Sequence, residues 1–156
     1  GQDNLQVTPI QMAVAVASIA NGGNILEPHV LKEIKDGNGE TVAKTAPKVR
    51  RQLSIAPEYF QVVREGMRLT TTELGTAPVM ASLPIAIGAK TGTAELGVDR
   101  KRVNSWFIGF APFDNPKIAI ATVLEGGHVS NLVGATTATK HMIEWLIIYR
   151  PDMLGI

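Results

Sequence analysis

The stretch "LPIAIGAKTGTAE", residues 83–95, begins as an apolar run and ends with a lysine, two threonines and a glycine among small residues. Two further runs, "VNSWFIGFAP" at 103–112 and "KIAIATVLEGG" at 117–127, follow it closely. Each has the length and the apolar, β-branched composition of a strand. The links between them, the charged "LGVDRKR" and the turn "FDNP", are too short for a crossover helix. The three runs therefore predict an antiparallel meander.

The third of these runs is apolar on both of its faces. Larger and smaller apolar side chains alternate along it: Ile118, Ala119, Ile120, Ala121, Val123 and Leu124. A strand of this kind is typical of a sheet that is covered on both sides. We therefore expect helices to flank the sheet.

Two helices are predicted before the meander. Thr8 and Pro9 supply an N-cap and a first helical residue for the apolar run 10–20, which stops at Asn21-Gly22-Gly23. Residues 57–72 form a second, amphipathic segment that begins at a proline. Its apolar stripe consists of Phe60, Val63 and Met67.

A third helix is predicted at 132–150, between a glycine-rich loop and Pro151. Its expected sheet-facing stripe consists of Ala138, Met142, Trp145 and Tyr149. Residues 29–44 surround "DGNG" with two short strand-like runs and predict an exposed hairpin. The predicted fold class is α+β, with an antiparallel sheet of three core strands flanked by helices.

Composition excludes several classes of function. The chain of 156 residues has a net charge of +1, which favours neither nucleic acid nor an anionic membrane. It has no cysteine, and its three histidines stand far apart, so we expect no metal and no cofactor. Its longest apolar run, 10–20, is shorter than the roughly 18 to 20 residues that cross a bilayer.

The end of the first strand carries the candidate chemistry. Lys90 is the only charged residue between Glu73 and Glu95, and it either reaches solvent or is held in a pocket. Thr91 and Thr93 offer hydroxyl donors, and Gly92 lets a ligand approach the backbone. Alternation places Lys90 and Gly92 on one side of the strand and the threonines on the other, so one ligand meets both sets only where the strand borders a groove.

These residues resemble the K-T-G motif of penicillin-binding proteins and serine β-lactamases. The segments "GQDNLQVTPIQMAVAVASIANGG", "PHVLKEIKDGNGETV", "GAKTGTAE" and "NSWFIGFAP" follow in an order and spacing similar to the transpeptidase domain of class B penicillin-binding proteins. The resemblance extends from Gly1 to about Tyr149. It implies a five-stranded antiparallel sheet between helical layers, of which this chain holds part.

The resemblance also implies roles for the motif. Lys90 would support the catalytic hydrogen-bond network and keep the site electropositive, and the hydroxyls of Thr91 and Thr93 would hold a ligand carboxylate. The backbone N–H of Thr93 would be one of two oxyanion-hole donors, and Gly92 would let the acyl group lie against the strand. Lys90 and Thr93 are thus the catalytic candidates, and residues 91–93 the substrate-binding ones.

The family's S-x-x-K and S-x-N motifs are absent, because none of the five serines has Lys three positions later or Asn two positions later. We therefore expect residues 1–156 to be the C-terminal portion of a transpeptidase domain, inactive alone, whose missing part holds the nucleophile. By the resemblance, the parent would lie on the extracytoplasmic face of a bacterial membrane, anchored by a missing N-terminal segment.

The implied function of the parent is that of a peptidoglycan DD-transpeptidase that cross-links D-Ala-D-Ala stem peptides and binds β-lactams. Cell-wall synthesis proteins would be further partners. A serine β-lactamase, a DD-carboxypeptidase and a non-catalytic penicillin-binding sensor remain open alternatives. Among other candidates, Glu95, Asp99 and His128 are expected in solvated loops, and Trp106 and Trp145 in the core.

Overall fold

The computed structural model describes residues 5–131 and 133–156. In these residues the chain forms three α-helices and seven strands. The helices are α1 (Pro9–Ala20), α2 (Pro57–Thr70) and α3 (Ala135–Tyr149), and the strands are β1 (Asn24–Leu26), β2 (Glu33–Lys35), β3 (Thr41–Lys44), β4 (Val49–Gln52), β5 (Gly88–Leu96), β6 (Arg102–Ala111) and β7 (Ile118–His128). Short 3₁₀ turns occupy Pro78–Ser82 and Pro151–Met153.

The central sheet is the predicted meander, with strand order β5-β6-β7 and antiparallel pairing throughout. Lys90 lies opposite Ile108, and Gly92 lies opposite Trp106. The register between β6 and β7 shifts between Val103 and Ser105, which marks a bulge next to Asn104. The α+β class and the three core strands are confirmed.

Both faces of this sheet are covered, as the sequence of β7 predicts. On one face, Phe107 packs with Ile143 of α3 in the larger core cluster. On the other, Phe110 packs with Val16 of α1 and Met67 of α2. Because neighbouring residues of β6 point to opposite faces, one strand serves both cores.

Helix α1 begins and ends where the sequence predicts. The Thr8 Oγ accepts a hydrogen bond from the Gln11 backbone N–H, and the Gln11 side chain accepts one from the Thr8 N–H, which completes a capping box. After Asn21 the chain turns through Gly23, whose φ of +103° favours glycine. An added Cβ there would lie 2.8 Å from the Phe60 ring, so the turn also packs closely on α2.

Helix α2 buries Phe60 and Met67, but the predicted position of Val63 in its apolar stripe is wrong, because 47% of that residue is exposed. The neighbouring Arg64 turns toward the sheet instead. Its guanidinium lies 5.4 and 5.5 Å from the ring centroids of Phe110 and Phe113 and donates to the Phe113 carbonyl at 2.7 Å.

Helix α3 packs on the sheet through a different stripe from the predicted one. Met142, Trp145 and Tyr149 are each more than half exposed, whereas Ala135, Thr139 and Ile143 are fully buried. The small side chains at 135 and 139 let the helix approach the sheet closely. There the Thr139 Oγ lies 2.8 Å from the Thr122 Oγ of β7, and this hydrogen bond offsets the burial of the Thr139 hydroxyl.

The segment between α1 and α2 contains two antiparallel ribbons. β2 and β3 form the predicted hairpin, and β1 pairs with β4 in a second ribbon that the sequence did not reveal. Every residue of β4 is exposed, so its strand lacks the apolar alternation that identifies strands in sequence. No helix in the described part of the chain is long and apolar enough to cross a membrane.

Candidate functional site

The K-T-G-T residues line an open groove of about 580 Å³ beside β5. The groove extends across the α1 side of the sheet and reaches the segment that precedes α1. Its walls are formed by Leu5, Gln6, Val7, Met12, Lys90, Thr91, Gly92, Thr93, Ala94, Glu95, Leu96, Asn104, Trp106, Ile108 and Glu125. A smaller pocket of about 210 Å³ between α1 and β7 contains none of the predicted site residues.

Lys90 and Gly92 lie on the α1 side of the sheet, level with Ile108 and Trp106. The Lys90 side chain is exposed, and its ammonium group donates to the Thr91 carbonyl at 2.6 Å. An added Cβ at Gly92 would lie 3.3 Å from the Trp106 Cβ, so glycine leaves room for the Trp106 side chain on the neighbouring strand. The Lys90 ammonium group therefore lies beside backbone that carries no side chain at Gly92.

Thr91 and Thr93 alternate with these residues along β5 and also line the groove. In the described residues β5 pairs on one side only, with β6, and its residues 90–96 line the groove. Along an outer strand of a sheet, side chains that alternate between faces can still meet one ligand, and every second backbone N–H points away from the paired strand. The structure thus brings all four predicted residues to one groove.

Several polar or aromatic residues that line or adjoin the groove had not been predicted as part of the site. The Thr76 Oγ lies 2.9 Å from the Thr91 Oγ. Trp106, expected in the core, is only partly buried and forms the groove floor opposite Gly92. The Asn104 Oδ1 accepts a hydrogen bond from the Gly126 N–H at 2.9 Å. Glu125, the residue before Gly126 in the bulge of β7, lines the groove. Strand alternation places Trp106 on the Lys90 face, and that signal could have identified it.

Charge is distributed unevenly along the groove. Lys90 supplies a positive group at one end, and Glu125 supplies a carboxylate at the level of Asn104, beyond Gly92. Glu95 is paired with Arg100 at 3.4 Å. An anionic ligand is therefore favoured at the Lys90 end, next to the threonine hydroxyls.

Asp99, His128 and Trp145, the other candidate residues, do not line the groove. Asp99 accepts a hydrogen bond from the Lys101 N–H at 3.3 Å in the exposed β5–β6 loop. His128, expected in a loop, is the exposed last residue of β7, and its Nδ1 lies 2.7 Å from the Ser130 Oγ in the loop that follows. Trp145 is half exposed on α3 and contacts Tyr149, so its predicted core position is wrong. The described residues include no cluster of histidine and carboxylate side chains that could hold a metal ion.

No serine lines the groove among the residues that the structure describes. The Ser105 Oγ, the serine oxygen on the central sheet, instead accepts a hydrogen bond from the Ala135 N–H at 3.0 Å at the start of α3. The groove can therefore hold an extended anionic ligand and offer it a cation, hydroxyl groups and backbone donors. Its described walls include no serine that could act as the nucleophile of an acyl-serine reaction.

The chain is similar in sequence to several bacterial cell-wall proteins. The profile of the penicillin-binding protein transpeptidase domain matches residues 1–143. The peptidoglycan D,D-transpeptidase PbpA of Mycolicibacterium smegmatis is 33% identical over 81% of this chain and 26% of its own length. The peptidoglycan D,D-transpeptidase MrdA of Escherichia coli is 31% identical over 95% of this chain and 25% of its own length.

Solved structures show the same similarity. Penicillin-binding protein A of M. tuberculosis, determined as an imipenem acyl-enzyme complex, superposes with a TM-score of 0.75 at 27% identity, over 94% of this chain and 32% of that one. PBP2 of Pseudomonas aeruginosa in complex with WCK 5153 superposes with a TM-score of 0.73 at 31% identity, over 96% and 33% of the two chains.

The chain spans about a quarter of the length of these curated relatives. The matched part includes β5 with its K-T-G-T residues, the two strands that follow it, and helices on both faces of the sheet. By sequence profile, relatives and fold together, the chain belongs to the penicillin-binding protein transpeptidase family, class B.

Proposed function

We propose that this chain is the C-terminal part of a peptidoglycan DD-transpeptidase, and that it supplies the strand wall of the acyl-transfer groove. The observation that carries the proposal is the groove edge of β5, where Lys90, Thr91, Gly92 and Thr93 line one cleft. Membership of the family supports the same assignment. The substrates are then D-Ala-D-Ala stem peptides, and β-lactams occupy the same groove as inhibitors.

In this proposal a serine on a segment outside these 156 residues attacks the carbonyl of the penultimate D-Ala. The peptide bond to the terminal D-Ala breaks, the leaving amine takes a proton, and the acyl chain stays on the serine as an ester. The amine of a neighbouring stem then attacks that ester, forms the cross-link and releases the serine. Lys90 belongs to the hydrogen-bond network that moves these protons.

In this scheme the remaining motif residues bind the carboxylate of the ligand and stabilise the oxyanion of the transition state. The hydroxyls of Thr91 and Thr93 donate to the carboxylate of the stem peptide or the β-lactam. The Thr93 backbone N–H donates to the developing oxyanion together with the N–H of the serine, and one such donor is worth about 3 kcal/mol in the transition state. Gly92 leaves the backbone accessible to the acyl chain.

The parent protein acts, in this proposal, on the extracytoplasmic face of the bacterial membrane, where peptidoglycan is assembled. In this proposal a segment outside these residues anchors the parent protein in the membrane. Other cell-wall synthesis proteins are its partners. The names of the relatives, which describe peptidoglycan D,D-transpeptidases, support this location.

The test uses the complete protein, including the segment with S-x-x-K, and a fluorescent penicillin. We expect a stable covalent label that is lost when the S-x-x-K serine is replaced by alanine and that forms about 100-fold more slowly in Lys90→Ala. A folded protein that takes no label would contradict the proposal and favour a non-catalytic sensor. Rapid turnover of penicillin would instead identify a β-lactamase, and release of D-Ala without cross-linking a carboxypeptidase.

A further inference from the structure

The turn that follows α2, residues 71–77, is fixed against the start of β5. Thr71 is 1% exposed, and its hydroxyl contacts the Ile87 carbonyl, just before the strand, at 2.6 Å. Gly75 lies so close to the end of α2 that an added Cβ would be 2.2 Å from the Thr70 carbonyl oxygen. The Ala77 N–H donates to the same carbonyl at 2.9 Å. The position of the turn relative to β5 is therefore determined by the backbone.

This turn brings one exposed hydroxyl to the groove strand. The Thr76 Oγ lies 2.9 Å from the Thr91 Oγ, although the two residues are 15 positions apart in sequence. Thr76 is exposed, so the contact is not required to satisfy a buried group. A short hydroxyl–hydroxyl contact at the edge of a ligand groove calls for another explanation.

The chemistry of the pair supplies that explanation. A threonine hydroxyl has one proton to donate and two lone pairs to accept. When Thr91 donates its proton to an anion in the groove, its oxygen becomes an acceptor, and Thr76 is placed to donate to it. Such a chain polarises the Thr91 hydroxyl and fixes its rotation toward the anion.

We propose that Thr76 is a positioning residue for carboxylate recognition by Thr91. The inference rests on the proposed function, since it concerns the anionic group of the ligands named there. Thr76 acts through Thr91 and does not contact the reacting atoms. Its effect is therefore confined to ligands that carry a free carboxylate, and it disappears when the Thr91 hydroxyl is removed.

The test is carried out on the complete protein, with acylation rates measured for benzylpenicillin and for its methyl ester, which lacks the carboxylate. Thr76→Val should slow acylation by benzylpenicillin roughly tenfold. It should change the rate of acylation by the methyl ester less than about twofold. Thr76→Ser keeps the hydroxyl and should restore the rate with benzylpenicillin. The double variant Thr76→Val/Thr91→Val should be no slower than Thr91→Val alone.

Thr72→Val is the matched control, because the Thr72 hydroxyl donates to the Leu69 carbonyl at 2.8 Å within the same turn. It should leave both rates unchanged. Thr76→Ala gives a second hydroxyl deletion, and melting temperatures identify any variant that is misfolded. An unchanged rate in folded Thr76→Val and Thr76→Ala, or equal losses with the acid and the ester, would overturn the inference. A wild-type protein that is not acylated at all would overturn the proposed function, and this inference with it.

Discussion

At the scale of single residues, Gly88 is constrained by an aromatic ring. It lies opposite Phe110, and an added Cβ would be 2.5 Å from the nearest atom of that fully buried ring. Because the ring is packed on all sides, it cannot move away without disturbing the core on the α1 face. We expect Gly88→Ala to lower the free energy of unfolding by about 1–3 kcal/mol, measured by denaturant titration.

Gly66 provides the control for this prediction. An added Cβ at Gly66, in the exposed part of α2, would meet nothing within 4 Å. Gly66→Ala should therefore raise the free energy of unfolding by about 0.5–1 kcal/mol, since alanine has the higher helix propensity. If both glycine variants changed stability in the same direction, the assigned role of the Phe110 ring would be wrong.

Arg64 joins α1, α2 and the β6–β7 turn through a single guanidinium. It lies 5.4 and 5.5 Å from the ring centroids of Phe110 and Phe113, donates to the Phe113 carbonyl, and makes a longer hydrogen bond of 3.5 Å to the Ala20 carbonyl. Arg64→Met keeps the apolar stem but loses these donors and leaves the partly buried Phe113 carbonyl without this partner. We expect a loss of about 2–4 kcal/mol in the free energy of unfolding.

Arg64→Lys separates charge from geometry in the same measurement. A lysine keeps the positive charge but lacks the planar fork that contacts both rings and a carbonyl together. It should recover less than half of the stability lost in Arg64→Met. Full recovery by lysine would show that charge alone accounts for the contribution of Arg64.

At the scale of elements, apolar spacing located the helices but did not always identify the buried face. Helix α3 has two apolar stripes, and the larger side chains of Met142, Trp145 and Tyr149 favoured the wrong one. The sheet instead contacts the stripe of Ala135, Thr139 and Ile143, because small residues allow close packing and Thr139 finds a hydroxyl partner on β7. Such a partner on a distant strand leaves no signal in the local pattern.

The start of α3 depends on a contact from the sheet. The Ser105 Oγ of β6 accepts the Ala135 N–H, and an added Cβ at Gly134 would lie 2.8 Å from the same oxygen. Ser105→Ala leaves one of the first helical N–H groups without a partner. We expect a loss of about 0.5–2 kcal/mol in the free energy of unfolding, measured by thermal or urea denaturation.

A control for Ser105 is available in Ser82. The Ser82 hydroxyl is exposed and donates to the Val79 carbonyl at 3.0 Å inside its own turn. Ser82→Ala should change stability by less than about 0.5 kcal/mol. In the complete protein, penicillin labelling should be unaffected by Ser105→Ala, since this hydroxyl faces α3; loss of label in a folded variant would contradict that placement.

At the scale of the whole molecule, the parts of the site that lie on one strand could be predicted, and the parts assembled from distant segments could not. The K-T-G-T run identified β5 as a candidate wall, and the apolar runs after it indicated the sheet that supports it. Thr76 comes from a turn before the strand, and Glu125 enters the groove through a bulge on β7. Both positions depend on the tertiary fold, which local spacing does not encode.

The described walls of the groove contain no serine nucleophile, and this determines the reactivity that we expect of the 156 residues toward penicillin. The sequence has no S-x-x-K, and the described groove walls contain no serine. Without a nucleophile and a partner base, no acyl-enzyme ester can form. We therefore expect no covalent label when the 156 residues alone are incubated with fluorescent penicillin, denatured and separated by electrophoresis.

The complete protein, treated in parallel, should be labelled and should lose the label in its S-x-x-K serine-to-alanine variant. Stoichiometric labelling of the 156 residues would show that a nucleophile within them reaches the groove, and would contradict the division of the site between two segments.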